Sequence, residues 1–421
     1  MSLRLGIVGA GGMGMRHAHG FAELRKYFDS FDMVGVCDRH AAAAESVASF
    51  VEQTTGLRPT VFTDFDRMLA DAGLDAVDIV TDTRMHHRFA VKAFERSVHV
   101  MTEKPMAVTI RACHVMREAA QRYRKVLSVA ENYRRDPMNR LAKALLDAGA
   151  IGRPNFMVRI GVGGGSALMH NTGWRALKAR AGSMIIEQGV HDADLMIYFL
   201  GDIESVTAET GLFTRTRKRS GMSANLSKFY GHRVEDEFAG KDTVEIDQED
   251  SAFALIRFAG GAVGHYAISN ASHGHSIGVD SIHGSKGTMI PPRSRTGSSP
   301  TVKLEGRDAP LTEPEMLEIV PDWELDDITA RFWGGSRRMA SYSMPFEEID
   351  RKLIAIEYQE LAEAIEHGRP VEVDAEVGMK ALAMTYATLE SGLAHRTVRM
   401  ADLLEGTVDA YQAEVNAASG L

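Results

Sequence analysis

The feature that most constrains this chain is Gly9-Ala10-Gly11-Gly12-Met13-Gly14, set between the apolar run Leu3 to Val8 and a segment carrying Phe21, Leu24 and Phe28 at three- and four-residue spacing. An apolar run that short reads as a buried strand, and the spacing after it predicts a helix from Gly12 to Phe28. A G-x-G-x-x-G at the joint between strand and helix has a physical reading for each glycine. Gly9 makes the tight turn, Gly11 lets a pyrophosphate approach the backbone, and Gly14 lets helix and strand pack closely. Gly12 and Met13 open the helix, whose first-turn N–H groups and dipole favour an anion.

The pattern after the turn repeats. Met33 to Asp38, Ala76 to Thr81, His99 to Thr102 and Val126 to Ala130 read as strands. Ala41 to Val51, Arg88 to Phe94 and Ile110 to Tyr123 read as helices between them. Alternating β and α elements predict a doubly wound parallel sheet of the Rossmann type over residues 1–131. Asp38 follows Gly14 by 24 residues and ends the second strand. A carboxylate there binds ribose hydroxyls and repels a 2′-phosphate, so NAD is expected in preference to NADP; the neighbouring Arg39 is the one residue able to accept that phosphate.

Residues 132–421 read as a second, α+β domain for substrate binding and oligomerisation. Phe156 to Gly161, Ser205 to Thr210, Ser251 to Phe258, Gly261 to Ser269, Val279 to His283 and Thr288 to Ile290 are strand-like in direct succession, which predicts a large open, mostly antiparallel sheet. Gly260-Gly261 marks a hairpin. Two helices are expected to close the chain. One buries Ile354, Tyr358, Leu361 and Ile365 and stops at Gly368; the other starts at Asp374 and buries Leu382, Tyr386 and Leu389. Phe213 to Asp247 and Pro291 to Pro345 fit no element and read as surface excursions, or as lids and arms that shape a substrate mouth. No internal repeat is found.

Composition narrows the class of protein. With 421 residues, 44% apolar and 25% charged, the chain has material for two or three globular domains. Two cysteines, Cys37 and Cys113, exclude a disulfide framework and suit a reducing compartment. The net charge of −9 argues against nucleic acid or an anionic membrane as partner. No apolar run reaches the roughly 18–20 residues needed to span a bilayer. Nothing like a secretory leader precedes the first strand, so a cytoplasmic location is expected.

Chemistry-bearing residues fall at strand ends and at one helix start. Thr81, Thr83 and His86 follow the strand Ala76 to Thr81, and Glu103-Lys104-Pro105 follows the next. Polar groups at the carboxyl end of parallel strands face the ligand crevice. An ammonium at Lys104 is placed to hold a substrate hydroxyl and steady the alkoxide that precedes hydride loss. Glu187 and His191 lie four apart, on one side of a helix if one begins there. The acid then orients the ring, the ring takes a proton, and Asp194 is spaced to hold its other nitrogen. His17 and His19, and His273 and His275, alternate without a partner at ligand spacing, so no metal is expected.

Taken in order, these marks resemble the glucose–fructose oxidoreductase/inositol dehydrogenase family. They are the glycine turn with His17 after it, Asp38, Thr81 to His86, Glu103-Lys104-Pro105, Glu131-Asn132-Tyr133-Arg134, Trp174-Arg175, Gly182 to Asp194, and Gly368-Arg369-Pro370 with Asp374-Ala375-Glu376. The resemblance implies a nicotinamide held between the two domains, a carbohydrate or cyclitol substrate, and homo-oligomers, dimers or tetramers, packed through the second domain's sheet. It carries catalysis to Lys104 and His191 with Glu187. Cofactor contacts fall to Gly9, Gly11, Gly12, Met13, Gly14, Asp38, Arg39, Thr81, Thr83, His86, Glu103 and Lys104. Substrate contacts fall to Lys104, Tyr133, Arg134, Trp174, Arg175, His191 and Asp194. Arg134, Arg175 and Lys178 are also the cations available for an anionic substituent. Two positions depart from the family pattern. Glu187 stands where Asp is usual and reaches one methylene further, and Asp82 replaces a Pro beside the crevice.

The leading expectation is an NAD-dependent dehydrogenase acting on CH–OH groups. The alternatives are an NAD-dependent glycosidase or lyase working by transient oxidation with tightly held cofactor, and a non-catalytic nucleotide-binding regulator.

Overall fold

A computed structural model describes residues 2–169, 172–219 and 240–421. Six parallel strands form the first sheet: β1 (Leu3–Val8), β2 (Phe31–Cys37), β3 (Thr60–Phe62), β4 (Ala76–Ile79), β5 (His99–Glu103) and β6 (Leu127–Ala130), in the order β3-β2-β1-β4-β5-β6. Between them run α1 (Gly12–Leu24), α2 (Ala41–Thr55), α3 (Phe65–Asp71), α4 (His86–Glu95) and α5 (Ile110–Tyr123). Leu5, Ile7, Val77, Ile79 and Val100 are fully buried, as strands covered on both faces require. The strand order reverses between β1 and β4, which opens a crevice at their carboxyl ends. The expected doubly wound sheet is present, with β3 and α3 added at its edge; a three-residue, half-exposed strand carries too little apolar pattern to stand out.

The helix expected to run to Phe28 ends at Leu24. Tyr27 and Phe28 continue as a turn, their N–H groups both bonded to the Leu24 carbonyl.

After α6 (Pro137–Asp147), capped by Asp136 with Pro137 in its first turn, the second sheet begins. Its members are β7 (Pro154–Gly164), β8 (Ile203–Gly211), β11 (Ser251–Phe258), β12 (Val263–Ser272), β13 (Ile277–Gly284), β14 (Gly287–Ile290), β15 (Thr301–Leu304) and β16 (Val398–Arg399); β9 (Thr216–Lys218) and β10 (Thr243–Glu245) pair separately. The order is β15-β14-β13-β7-β12-β11-β8-β16, antiparallel throughout except for β7 beside β12. Gly260-Gly261 does form the β11–β12 hairpin, with Gly261 at φ +88°.

One face of this sheet is covered by α8 (Met184–Leu200), which follows the short α7 (Lys178–Ala181), and by a later helix. Among the described residues nothing covers the other: Phe156, Phe253, Leu255 and Val279 stand exposed, Leu255 at 58%.

The stretch Pro291 to Pro345 is ordered. It holds β15, α9 (Glu313–Ile319) and α10 (Asp327–Phe332), and buries Phe332 and Trp333 against the first sheet's layer. Of Phe213 to Asp247, residues 220–239 lie outside the described part.

Helix α11 (Phe346–His367) returns to the first sheet. Ile354, Tyr358 and Leu361 are buried as expected, packed with Phe21 and Phe31 of the nucleotide-binding layer. A Cβ at Gly20 of α1 would collide with Ile354, so the glycine lets the two helices close up. Then α12 (Ala375–Ala394), capped by Asp374 through the N–H groups of Glu376 and Val377, buries Leu382, Tyr386 and Leu389. These two helices do not end the chain. β16, α13 (Met400–Leu404) and α14 (Ala413–Ser419) follow, and Gln412 and Asn416 bond the start of α5 at Ile110 N and Thr109 Oγ1. Among the described residues no helix is long and apolar enough to cross a membrane.

Candidate active site

The glycine turn is built as its sequence demands. Gly9 has φ +100°, and a Cβ there would lie 2.7 Å from the Val80 backbone. A Cβ at Gly14 would collide with the Gly9 carbonyl oxygen. Gly11 caps α1 without a side-chain hydrogen bond, so helix geometry leaves first-turn N–H groups at Gly12 and Met13 for an external anion. At the end of β2, Asp38 Oδ2 accepts from Ala10 N at 2.8 Å and Oδ1 from His40 N at 2.9 Å. The carboxylate is fixed beside the turn, where the ribose of a dinucleotide on this glycine turn would approach. Arg39 is exposed and its Nε meets His40 Nε2 at 3.1 Å. These residues fit a dinucleotide without a 2′-phosphate.

From the turn, a cleft of about 930 Å³ runs between the two sheets. Met13, Arg16, Thr81, Thr83, Glu103 and Lys104 line it from the nucleotide side, and Tyr133, Trp174, Arg175, Glu187, Gln188 and His191 from the other. Lys104 Nζ donates to the backbone carbonyl of Glu187 at 3.0 Å, in the first turn of α8, and Lys104 N donates to Glu103 Oε2 at 2.8 Å. Ser183 caps that helix through Ile185 N, which fixes where its first turn faces.

Glu103 leads into a buried chain of charges. Its Oε1 lies 3.2 Å from His17 Nε2; His17 Nδ1 lies 2.7 Å from Asp78 Oδ2, and the Tyr358 hydroxyl donates to the same oxygen at 2.5 Å. Burial works against the charge on His17, but Asp78 and Glu103 override it and hold the imidazole protonated well above its ordinary range. Burial likewise opposes ionisation of Glu103, yet the His17 bond and charge, with Lys104 and Arg16, bring it down to about 2.

His191 projects from α8 one turn past Glu187. Its Nδ1 lies 2.8 and 2.7 Å from the two oxygens of Glu131, and its ring stacks on Tyr133 at 4.1 Å with 6° between planes. Burial, then Lys104 and Arg295, push His191 well below its ordinary value, against the pull of Glu103 and Asp192. Burial pushes Glu131 up to about 7, against the Tyr133 N–H and the charges of Lys104 and Arg134.

The expected bond from Glu187 to His191 is therefore not made. Glu187 turns instead to Arg175 Nε and Thr83 Oγ1, each at 3.1 Å. A four-residue spacing puts two side chains on one side of a helix; it does not stop each from finding a nearer partner on another element. Asp194 does not reach His191 either. It takes a two-pronged bond from Arg134 at 2.9 and 2.6 Å, both residues buried, so Arg134 is committed within the protein rather than open to a substrate anion. Lys178 sits over the Tyr411 ring at 3.9 Å and pairs with Glu414. The Arg175 guanidinium lies 4.4 Å over the Trp174 ring inside the cleft. His86 is buried behind the cleft, its ring between the carbonyls of Pro105 and Thr81. Asp82 has Arg84 beside it at 3.7 Å, which offsets the extra negative charge.

Three participants were missed in the sequence. Glu131 was read only as part of a motif. Arg295 comes from the stretch Pro291 to Pro345; its guanidinium lies 4.9 Å over the Tyr133 ring and donates to the Tyr133 hydroxyl at 3.0 Å. Asp350 of α11 joins Arg295 to Arg16 of α1, at 3.0 and 2.5 Å. Among the described residues no cluster of three or more His, Cys, Asp or Glu side chains is arranged to hold a metal.

Comparison with known proteins adds the following. A family model described as oxidoreductase family, NAD-binding Rossmann fold, matches residues 3–131, and one described as oxidoreductase family, C-terminal alpha/beta domain, matches residues 143–400. Levoglucosan dehydrogenase of Pseudarthrobacter phenanthrenivorans is 29% identical over 293 residues, 69% of this chain and 73% of its own. The scyllo-inositol 2-dehydrogenase (NAD(+)) of Bacillus subtilis is 26% identical over 294 residues, 68% of this chain and 73% of its own. Among solved structures, an NAD binding oxidoreductase from Klebsiella pneumoniae has the same fold, with a TM-score of 0.74 at 21% identity over 95% of this chain and 99% of that one.

Proposed function

The chain belongs to the glucose–fructose oxidoreductase/inositol dehydrogenase family of NAD-dependent oxidoreductases, and from that premise we propose that Lys104 and His191 are the pair that oxidises a hydroxyl of a sugar, sugar derivative or cyclitol. The observation that carries this reading is their convergence on one cleft at the carboxyl ends of β4 and β5, with Lys104 tethered to the helix that bears His191.

NAD, when bound, supplies the hydride acceptor. Gly9 to Gly14 and Asp38 hold it, with Thr81 and Thr83 at the strand end beside it. His191 Nδ1 is engaged by Glu131, so Nε2 is the nitrogen left to take the hydroxyl proton. Its depressed basicity keeps the ring neutral and able to do so. The Lys104 ammonium stabilises the oxygen as negative charge grows on it. Trp174 brings an apolar ring to the cleft against which a sugar or cyclitol ring packs, while the Tyr133 ring is taken up by His191 and Arg295. Glu187 acts in this reading through its carbonyl on Lys104 and its carboxylate on Arg175, not as the partner of His191.

The sheet face that the described residues leave uncovered, with Phe156, Phe253, Leu255 and Val279 on it, supports a homo-oligomer formed by covering it. Light scattering on Leu255→Glu tests that; an unchanged particle mass defeats it.

The test of the catalytic reading is formation of reduced cofactor with NAD and a panel of sugars, cyclitols and glycosides, run beside Lys104→Ala and His191→Ala. A stoichiometric rise lost in both variants supports it. Glycoside consumption without accumulating NADH replaces it with a redox-neutral cleavage, and full activity in either variant overturns it.

A further inference from the structure

His191 draws its support from a part of the molecule that its own helix does not supply. Glu131 sits at the end of β6 in the first sheet, 60 residues away in sequence, and presents both carboxylate oxygens to Nδ1. Its side chain is buried, 3% exposed, and one oxygen accepts the Tyr133 N–H at 3.0 Å, which prevents it from swinging away. Tyr133, two residues on, then forms the stacking surface of the ring. Of the carboxylates on His191's own helix, Glu187 faces Arg175 and Thr83, Asp192 binds Arg159 and Asp194 binds Arg134.

We infer that Glu131 is the positioning residue for His191, fixing its tautomer and stabilising the imidazolium that forms when Nε2 accepts a proton. The inference rests on the proposed role of His191 as proton acceptor. An ionised carboxylate accepts hydrogen bonds and donates none, so it selects the tautomer with hydrogen on Nδ1 and leaves the Nε2 lone pair free. When the hydroxyl proton arrives at Nε2 the ring becomes cationic with its Nδ1–H still on Glu131, and the pair is net neutral. Lys104 and Arg295 make a positive charge on the ring costly, so the nearby anion is what makes proton acceptance feasible. The burial that raises Glu131 makes the pair bind one proton in common near neutrality, and activity in the oxidative direction falls as that proton is taken up.

The experiment uses the full chain labelled with ¹⁵N-histidine, with His191→Gln to assign the signal. At about pH 8 the wild-type ring is expected in the Nδ1–H form. Glu131→Gln, whose amide presents a donor, is expected to shift it toward the Nε2–H form, whereas Glu187→Gln leaves it in place. In parallel, kcat for Glu131→Gln is expected to fall by about 10²–10⁴ with little change in KM, with partial recovery in Glu131→Asp, and the pH profile loses its limb near 7. Thermal melting of each variant separates these effects from unfolding. An unchanged tautomer in Glu131→Gln, or one that flips in Glu187→Gln, overturns the assignment. So does an inactive His191→Gln accompanied by a fully active Glu131→Gln. An active His191→Gln instead overturns the proposed base while the tautomer result still reports on the pair.

Discussion

The Tyr358 hydroxyl donates to Asp78 across 280 residues of chain, at 2.5 Å, and shares that carboxylate oxygen with His17. Among the described residues the other oxygen, Oδ1, has no donor. The two bonds on Oδ2 thus carry the whole solvation of a buried anion, and one of them comes from α11. Tyr358→Phe keeps the ring packing and removes only the donor, so it is expected to cost about 1–3 kcal/mol. Urea unfolding checks this; a midpoint equal to wild type contradicts it.

His17 links stability to pH. Its folded value is raised above the unfolded one, so its contribution is complete below the ordinary imidazole value near 6.5 and is lost as pH climbs through the folded value. The stability gap between wild type and His17→Gln is therefore expected to be smaller at an alkaline pH than at about pH 6. Asp78, Glu103 and Tyr358 are the groups that face the ring and set that window. Denaturant curves at the two pH values suffice, and a gap that widens with pH refutes the assignment.

The proposed role of Asp38 in cofactor choice is measurable. Asp38→Ala removes the anion that repels a 2′-phosphate and frees the N–H groups of Ala10 and His40. Loss of charged hydrogen bonds worth about 1.5–3 kcal/mol weakens NAD binding by roughly ten- to a hundredfold, while NADP binding improves. Calorimetric titration with both nucleotides reads the change; an NAD affinity left intact excludes this role for Asp38.

Arg134 and Asp194 form a closed pair beneath the cleft. Removing the cation alone, in Arg134→Met, strands a buried carboxylate and is expected to cost about 3–5 kcal/mol. Burial already lifts Asp194 to about 7, a raised folded value for an acid. The penalty in Arg134→Met therefore grows as pH rises through that value, above which Asp194 ionises against Arg134 in the wild type and has no cation in the variant. Arg134→Met with Asp194→Leu is expected to regain most of the loss. Failure of the double variant to recover points to a separate packing role for Arg134.

Much of the architecture was legible because local and global signals agree. Ile110–Tyr123 was placed to the residue, and Thr109 caps it through Ala112 N. Ser251–Phe258 was too, since its buried and exposed residues alternate from Ala252 onward. Where the signal is tertiary, the reading failed. Pro291 to Pro345 looked like surface because Phe332 and Trp333 find their apolar partners in Tyr27, Phe28 and Tyr342, which no local period reveals. The glycine turn, and the places of Lys104 and His191 on one cleft, were legible from motif and position. The partner of His191 was misassigned because helix spacing names neighbours on one element, whereas Glu131 arrives from the end of a strand in the other sheet. Arg134 and Asp194 looked like ligand contacts until the geometry showed that they satisfy one another.

Lys104 is tethered to a main-chain carbonyl, and every amino acid carries that acceptor. The side chain at position 187 can therefore change without releasing the ammonium. Substitution there retunes Arg175 and Thr83, the groups the carboxylate touches, while the reach of Lys104 into the cleft is inherited from the helix path. Position 187 can thus vary by single substitutions while Lys104 keeps its acceptor, because a main-chain carbonyl is something no point mutation removes.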